Sequence, residues 1–432
     1  VVSSAGDEYE TFSDSRSGVP QVMLRSRAFA GPWSAATAVS ASPSGAFDPT
    51  IALLPGDGLA IAWSDLRDGQ SQIYFRARIG GAWGPERRLS EISGGSPAIA
   101  ADPSGFVHVC WTDPGPPRPR IQYLRFPAGA PGGEPSVVTD STSRPSAPCI
   151  TATPSGIAWM AWPDLGTGNY VVQFARSVPD SGLTLPRRLT YPINFAQPSV
   201  DVAADTSGSV HFVWQQLATG ACELHYERIP RLGFPYPGDT TLVSAPEAVQ
   251  NPSLFVDRTG AVHVAYERST SQGQMIRYKR WRPGPGWDYP ATDVSNTSDG
   301  SAGRVNVLAV TPGDVSVLYS SSKAGSSQVR TRRRRLDPIP TAVEPVAAPS
   351  PRIAFRMGPN PLRPGRELRV ACAGASEAGI VELFDTAGRR VASARALGGM
   401  ARFSPAQTRT LMPGLYFAAL RGGASGRLAV IR

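Results

Sequence analysis

An all-β fold is what this sequence predicts: a β-propeller of seven blades followed by a small β-sandwich. Three observations carry the prediction. A strand–turn–strand unit ending in an aromatic residue recurs, clearest in the stretch SPAIAADPSGFVHVCWTD at residues 96–113. Its copies end at Phe12, Trp63, Trp111, Trp162, Trp214, Tyr266 and Tyr319, in steps of 48 to 53 residues, a period that belongs to propeller blades. An arginine follows each anchor by 13 or 14 residues, at Arg25, Arg76, Arg125, Arg176, Arg228, Arg280 and Arg332, an independent column with the same count. Finally, Gly 44 and Pro 42 fall between strand-like runs, as the turns of an all-β chain do. The seventh unit is incomplete, so six or eight blades stay open as alternatives.

Residues 1–335 hold the repeats, and each full unit reads as four strands. Strand a is apolar and follows a proline, as at Pro97 or Pro252. A turn follows, such as Asp102-Pro-Ser-Gly105, Asp205-Thr-Ser-Gly208 or Asp257-Arg-Thr-Gly260. Its Asp bonds the turn backbone and its Gly accepts a positive φ. Strand b ends at the anchor and is apolar on both faces, which a blade packed between two others requires. Strand c carries the arginine and, two places before it, an aromatic: Tyr74, Tyr123, Phe174, Tyr226 and Tyr278. Strand d ends in pairs such as Val39-Ser40 and Leu89-Ser90. Val2-Ser3 matches that ending, so the N-terminal segment is expected to complete the last blade as its outer strand, and the first blade to lack strand a. Residues 336–352 are Pro-rich without periodicity and read as an extended linker. Residues 353–432 show short alternating strands between turns, the pattern of a β-sandwich.

Bulk properties exclude several function classes. No apolar run reaches the length of a transmembrane helix. The net charge of +9 invites a polyanion, yet the arginines spread along the whole chain and no nucleic-acid motif appears, so nucleic acid is not expected as a partner. The cysteines Cys110, Cys149, Cys222 and Cys372 lack metal-ligand spacing. Neither a metal nor another cofactor is expected. Cys110 and Cys149 lie on neighbouring units and are either bonded or buried thiols. The start at Val1 fits a removed signal segment and fits a fragment equally.

The C-terminal segment resembles a known family. Asn360-Pro361, the run Val381–Asp385 leading into Gly388 and Arg389, then Gly414 and Tyr416, and the final Arg427–Arg432 stand in the order and spacing of the Ig-like C-terminal sorting domain of type IX secretion substrates. The related domain of flagellar hook-capping proteins shares much of this pattern. The resemblance implies export across the outer membrane of a Gram-negative-type bacterium, with the secretion machinery as a partner. The expected location is extracellular or on the cell surface, and the expected state is a monomer.

Candidate functional residues sit in the b–c loops. Asp14, Asp65, Asp113 and Asp164 each stand two residues after an anchor, and Phe12–Gly18 nearly duplicates Trp63–Gly69, including Arg67. These loops and the d–a loops emerge on one face, where propellers bind ligands. Each Asp therefore either faces a ligand there or bonds its own loop. The Asp-Gly pattern also resembles the Asp boxes of sialidases and related repeat proteins. The sialidase set of three arginines, a tyrosine nucleophile and an acid–base Asp cannot be assigned. His108, His211 and His263 recur three places before their anchors, a structural position rather than a metal site. Two functions follow: a non-catalytic module binding a glycan or a surface protein or, as the rival, a sialidase-like glycoside hydrolase or other secreted hydrolase.

Overall fold

The structure is a computed structural model. It describes residues 1–29, 31–166, 168–190, 198–218, 221–231, 239–271, 273–282, 286–288, 290–296, 302–311, 314–322, 328–335, 354–358, 362–373, 379–385, 390–397, 400–420 and 425–430. The chain divides into two units, Val1–Ile339 and Pro340–Arg432. The linker expected at 336–352 lies outside the described residues, as do Asn360, Pro361, Gly388 and Arg389.

The first unit is a β-propeller with seven antiparallel sheets among the described residues. Blade 3 shows the full plan, with strand a at Gly95–Ala101, b at Phe106–Asp113, c at Arg120–Pro127 and d at Ser136–Val137, paired in that order. Among the described residues blade 1 has only b (Glu8–Asp14), c (Gln21–Arg27) and d (Thr37–Ala38), and blade 7 only a (Ala302–Thr311), b (Asp314–Ser321) and c (Gln328–Arg335).

The expected closure by a shared strand does not form. Val2 bridges Glu8, on the inner edge of blade 1, so it extends its own blade instead of completing blade 7. Side chains close the ring instead. Glu8 pairs with Arg27 and lies 4.0 Å from Arg333 of blade 7, and Arg27 Nη2 donates to Ser316 Oγ at 3.3 Å.

The anchors are core. Trp63, Trp111, Trp162, Trp214, Tyr266 and Tyr319 are among the largest fully buried side chains, whereas Phe12, in the three-stranded first blade, is half-buried. They sit in clusters that span adjacent blades. Trp111, for example, packs with Phe75 and Ile73 of blade 2 and with Leu124 and Phe126 of its own strand c. The b–c hairpin keeps one register in all seven blades, pairing each anchor with the residue eleven places on, as in Trp63 with Tyr74 and Trp214 with His225.

That register splits the arginine column. At a spacing of 14, Arg125 and Arg228 stand opposite His108 and His211. At 13, Arg25, Arg76 and Arg332 stand opposite Glu10, Ile61 and Val317, on the other face of the blade, because a one-residue step in a strand reverses the side chain. Tyr74 shifts with Arg76; the residue in register with Tyr123 is Phe75.

The second unit carries one seven-stranded antiparallel sheet. It runs from Ala354–Gly358 at one edge to Ser425–Val430 at the other. The expected sandwich thus takes the form of a single curved half-barrel. It wraps a core of Leu368, Val370, Val381, Leu383 and Phe403, with Tyr416 packed into it and donating from its hydroxyl to Met412 O.

Candidate functional site

Each b–c loop is built around the residue two places after the anchor. Positions two apart share a strand face, so a tryptophan at the anchor aims its indole N–H at that residue. Trp63 Nε1 donates to Asp65 Oδ2 at 2.9 Å, Trp162 to Asp164 at 3.2 Å, and Trp214 to Gln216 at 3.5 Å. The same carboxylates tie the loop down. Asp65 accepts from Arg67 N and from Ser42 Oγ of the neighbouring d–a loop, and Asp164 accepts from Gly166 N and Arg144 N. Asp14, in the outlying first blade, holds Arg16.

Of the two expectations for these residues the loop-bonding one holds for Asp65, Asp113 and Asp164, which are buried beneath their loops. Burial pushes the Asp65 carboxyl up, but hydrogen bonds from Arg67, Trp63 and Ser42 outweigh it and hold it below its ordinary range.

What the loop face presents instead is the shell around these carboxylates. Arg67 bridges Asp65 at 2.8 Å and Glu86 at 2.5 Å, and its guanidinium lies 4.2 Å from the Tyr74 ring centroid. Tyr74 donates its hydroxyl to Asp68, which lies 3.6 Å from Arg88. Blade 3 departs from the pattern. Asp113 is taken up by Arg120, Gln122, Ser93 and Gly115, and the Trp111 indole N–H has no partner among the described residues. A recess of about 40 Å³ opens there.

The histidines lie on the opposite course of the strands and are structural. His108, His211 and His263 each touch a tyrosine hydroxyl through Nδ1, at 2.6 to 2.8 Å, and the a–b turn Asp through Nε2, at 3.1 to 3.3 Å. A carboxylate only accepts, so Nε2 carries the proton and Nδ1 accepts from the tyrosine. Burial lowers the His211 pKa to about 4. Blade 4 replaces the whole set, with Thr153 in the turn and Trp159 stacked on Phe174. The fourth histidine, His225, lies on strand c of blade 5. It stacks on Trp214 between the carboxylates of Glu223 and Asp239. Among the described residues no group of three or more His, Cys, Asp or Glu is placed to hold a metal ion. Cys110, Cys149 and Cys222 are free thiols.

A central channel of about 930 Å³ is lined by strand a of successive blades and, in blade 1, by Tyr9–Ser13. Side-chain oxygens stitch those inner strands together. Thr151 Oγ1 accepts from Ala204 N, Asp201 Oδ2 from Leu254 N and Ser253 Oγ from Val307 N. Burial raises the Asp201 pKa to about 6 against the opposing backbone hydrogen bonds. The prolines opening strand a follow residues in the left-handed region, at Asp48, Ser96, Ala147 and Asn251. The sequence signals the proline but not that conformation, which a pre-proline residue disfavours.

No protein-family model matches the chain, and no curated protein matches it significantly. Solved structures do share the fold. An ulvan lyase of polysaccharide lyase family PL25 aligns over 66% of this chain and 79% of its own, at 10% identity and a TM-score of 0.50. A PL25 ulvan lyase structure bound to -[GlcA(1-4)Rha3S]- covers 68% and 83%, at 10% identity and 0.51. PorZ, a bacterial surface component of the type IX secretion system of Porphyromonas gingivalis, covers 100% and 59% at 14% identity, with a TM-score of 0.46. A leech intramolecular trans-sialidase covers 67% and 68% at 9% identity, also at 0.46. The likeness to the lyase carries the β-propeller fold alone, and the two lower scores carry no argument.

Proposed function

We propose that this chain is an exported β-propeller acting as a non-catalytic module that binds a glycan or a surface protein through its b–c and d–a loops. The observation that supports this most is the locked state of Arg67. Two carboxylates and a tyrosine ring fix its guanidinium at the loop face, and a fixed planar donor recognises a ligand at low entropic cost. A glycan array run beside a fluorogenic glycoside panel tests the reading. Binding without turnover, weakened by Arg67→Ala, supports it; turnover sinks it. The second reading, a glycoside hydrolase, has one observation in its favour. Asp201 lines the channel and keeps its proton to about pH 6, as a general acid must.

The C-terminal unit is proposed as a type IX sorting domain on the strength of its sequence pattern. Its described part, a compact β-unit with Tyr416 in the core, suits a domain that folds by itself. Deleting residues 353–432 in the native host should leave the propeller in the periplasm. Normal surface display of the truncated chain would exclude the sorting role. Among the described residues no helix is long and apolar enough to cross a membrane.

A further inference from the structure

We propose that blade 3 carries a subsite for one hydroxyl group of a neutral sugar, with the indole N–H of Trp111 as donor and the side-chain oxygen of Gln122 as acceptor. The proposal rests on the glycan-binding reading and names where on the loop face one contact falls. In blades 2 and 4 the anchor indole is satisfied by the Asp two places on. In blade 3 that carboxylate is saturated. Asp113 Oδ1 accepts from Ser93 Oγ and Gly115 N, and Oδ2 from Arg120 Nε and Gln122 Nε2, which uses all four of its acceptor positions.

Two buried atoms are left over, Trp111 Nε1 and Gln122 Oε1, each without a partner among the described residues. They are a donor and an acceptor, and they belong to directly opposite residues of strands b and c. Leaving both unmade is costly, on the order of 1–3 kcal/mol for each buried group. A hydroxyl satisfies both at once, because its oxygen accepts from the indole while its hydrogen goes to the amide.

The recess fits that size and that charge. Its free volume is about 40 Å³, lined by Glu91, Ser93, Trp111, Asp113, Arg120 and Gln122, enough for one water-sized group. Beside the recess, Gly94 lets its loop pack directly against Trp111. A Cβ there would stand 2.6 Å from Ile73 Cγ1 and 2.9 Å from Trp111 Cδ1. Arg120 is committed to Asp113, and Glu91 shares a hydrogen bond with Glu134 alongside. An anionic group would meet these carboxylates, so the occupant is neutral.

Tryptophan indole resonances of the ¹⁵N-labelled protein supply the test, with methyl glycosides of glucose, galactose and mannose as probes. The Trp111 signal should move saturably with at least one of them. Gln122→Leu, or Gln122→Met if the first variant misfolds, should weaken that response roughly tenfold, about the worth of one hydrogen bond. If the Trp111 signal stays still for every probe and shows persistent cross-relaxation with a bound water, the site is a structural water pocket and the proposal falls. It falls equally if the signal moves but ignores the Gln122 variants. Glycoside binding elsewhere with Trp111 silent overturns the subsite alone, whereas no glycan binding anywhere overturns the broader reading as well.

Discussion

The hydroxyl of Tyr226 lies 2.6 Å from Nδ1 of His211, whose Nε2 faces Asp205 at 3.3 Å. The relay joins strand c, strand b and the a–b turn of blade 5, and blades 3 and 6 repeat it with their own residues. Tyr278→Phe and Tyr226→Phe should each strand a buried imidazole acceptor and cost about 1–3 kcal/mol. Phe174→Tyr in blade 4 should gain nothing, because Trp159 offers no acceptor. Calorimetric unfolding checks this; a loss below about 0.5 kcal/mol, the surface level, would show that the relay is incidental.

Asp65 and Asp113 lie on different blades with no shared partner, and each secures its own loop to the preceding d–a loop. Asp65→Asn should leave Arg67 with one carboxylate, Glu86, in place of two and cost about 1–3 kcal/mol. Combined with Asp113→Asn it should add within about 0.5 kcal/mol, as independent sites do. If a hydrolytic activity is found and either single change lowers kcat about a thousandfold without unfolding, that carboxylate acts in chemistry and the binding reading is wrong.

The repeat was legible because burial on both faces leaves a pattern in every strand b, and a large anchor such as Trp162 has few alternatives. The turn chemistry was equally open, since Asp102 and Gly105 occupy positions with special φ and bonding demands. The arginine column was legible as a count but not as a face. Spacings of 13 and 14 look alike in sequence, yet Arg76 and Arg125 end on opposite sides of their blades. The unpaired Trp111 indole was hidden for a different reason. Asp113 satisfies the same sequence rule as Asp65, and only the competition from Arg120 and Gln122 diverts it. The stitching of Asp201 to Leu254 crosses 53 residues and leaves no local trace.

Asp201 gives a pH dependence whose sign can be worked out. Its folded pKa of about 6 exceeds the ordinary 3.8, so the folded state holds the proton where the unfolded chain has lost it. The stability it contributes is full below about pH 3.8 and is lost as pH rises through 6. Asp201→Asn removes that loss at the cost of a constant offset, since an amide offers one acceptor where the carboxyl offers two. From about pH 4 to pH 7.5, the stability difference should therefore shift toward the variant by about 2–3 kcal/mol, at 1.36 kcal/mol per unit. Water in the channel reduces this. A pH-independent difference would mean that Asp201 titrates normally.

The seam between blades 1 and 7 should be the weakest part of the ring. Among the described residues blades 2 to 6 carry sheets of four or five strands, but here two three-stranded sheets meet through side chains. Glu8 and Glu10 are buried there. Arg27 bonds Glu8 at 2.8 Å and reaches Ser316, Thr331 lies 3.5 Å from Glu10, and Arg333 pairs with Asp314 and covers the Phe29 ring at 4.3 Å. Removing one partner of a buried pair strands the other's charge, so Glu8→Gln should cost about 2–4 kcal/mol. Because these charges are shielded from solvent, about 1 M salt should change little. The effect should also be local. Amide exchange should accelerate in Glu8–Asp14 and Gln328–Arg333 while Phe106–Asp113 in blade 3 stays protected. Uniform acceleration around the ring would show that the propeller opens as one cooperative body and that the side-chain latch sets no point of failure.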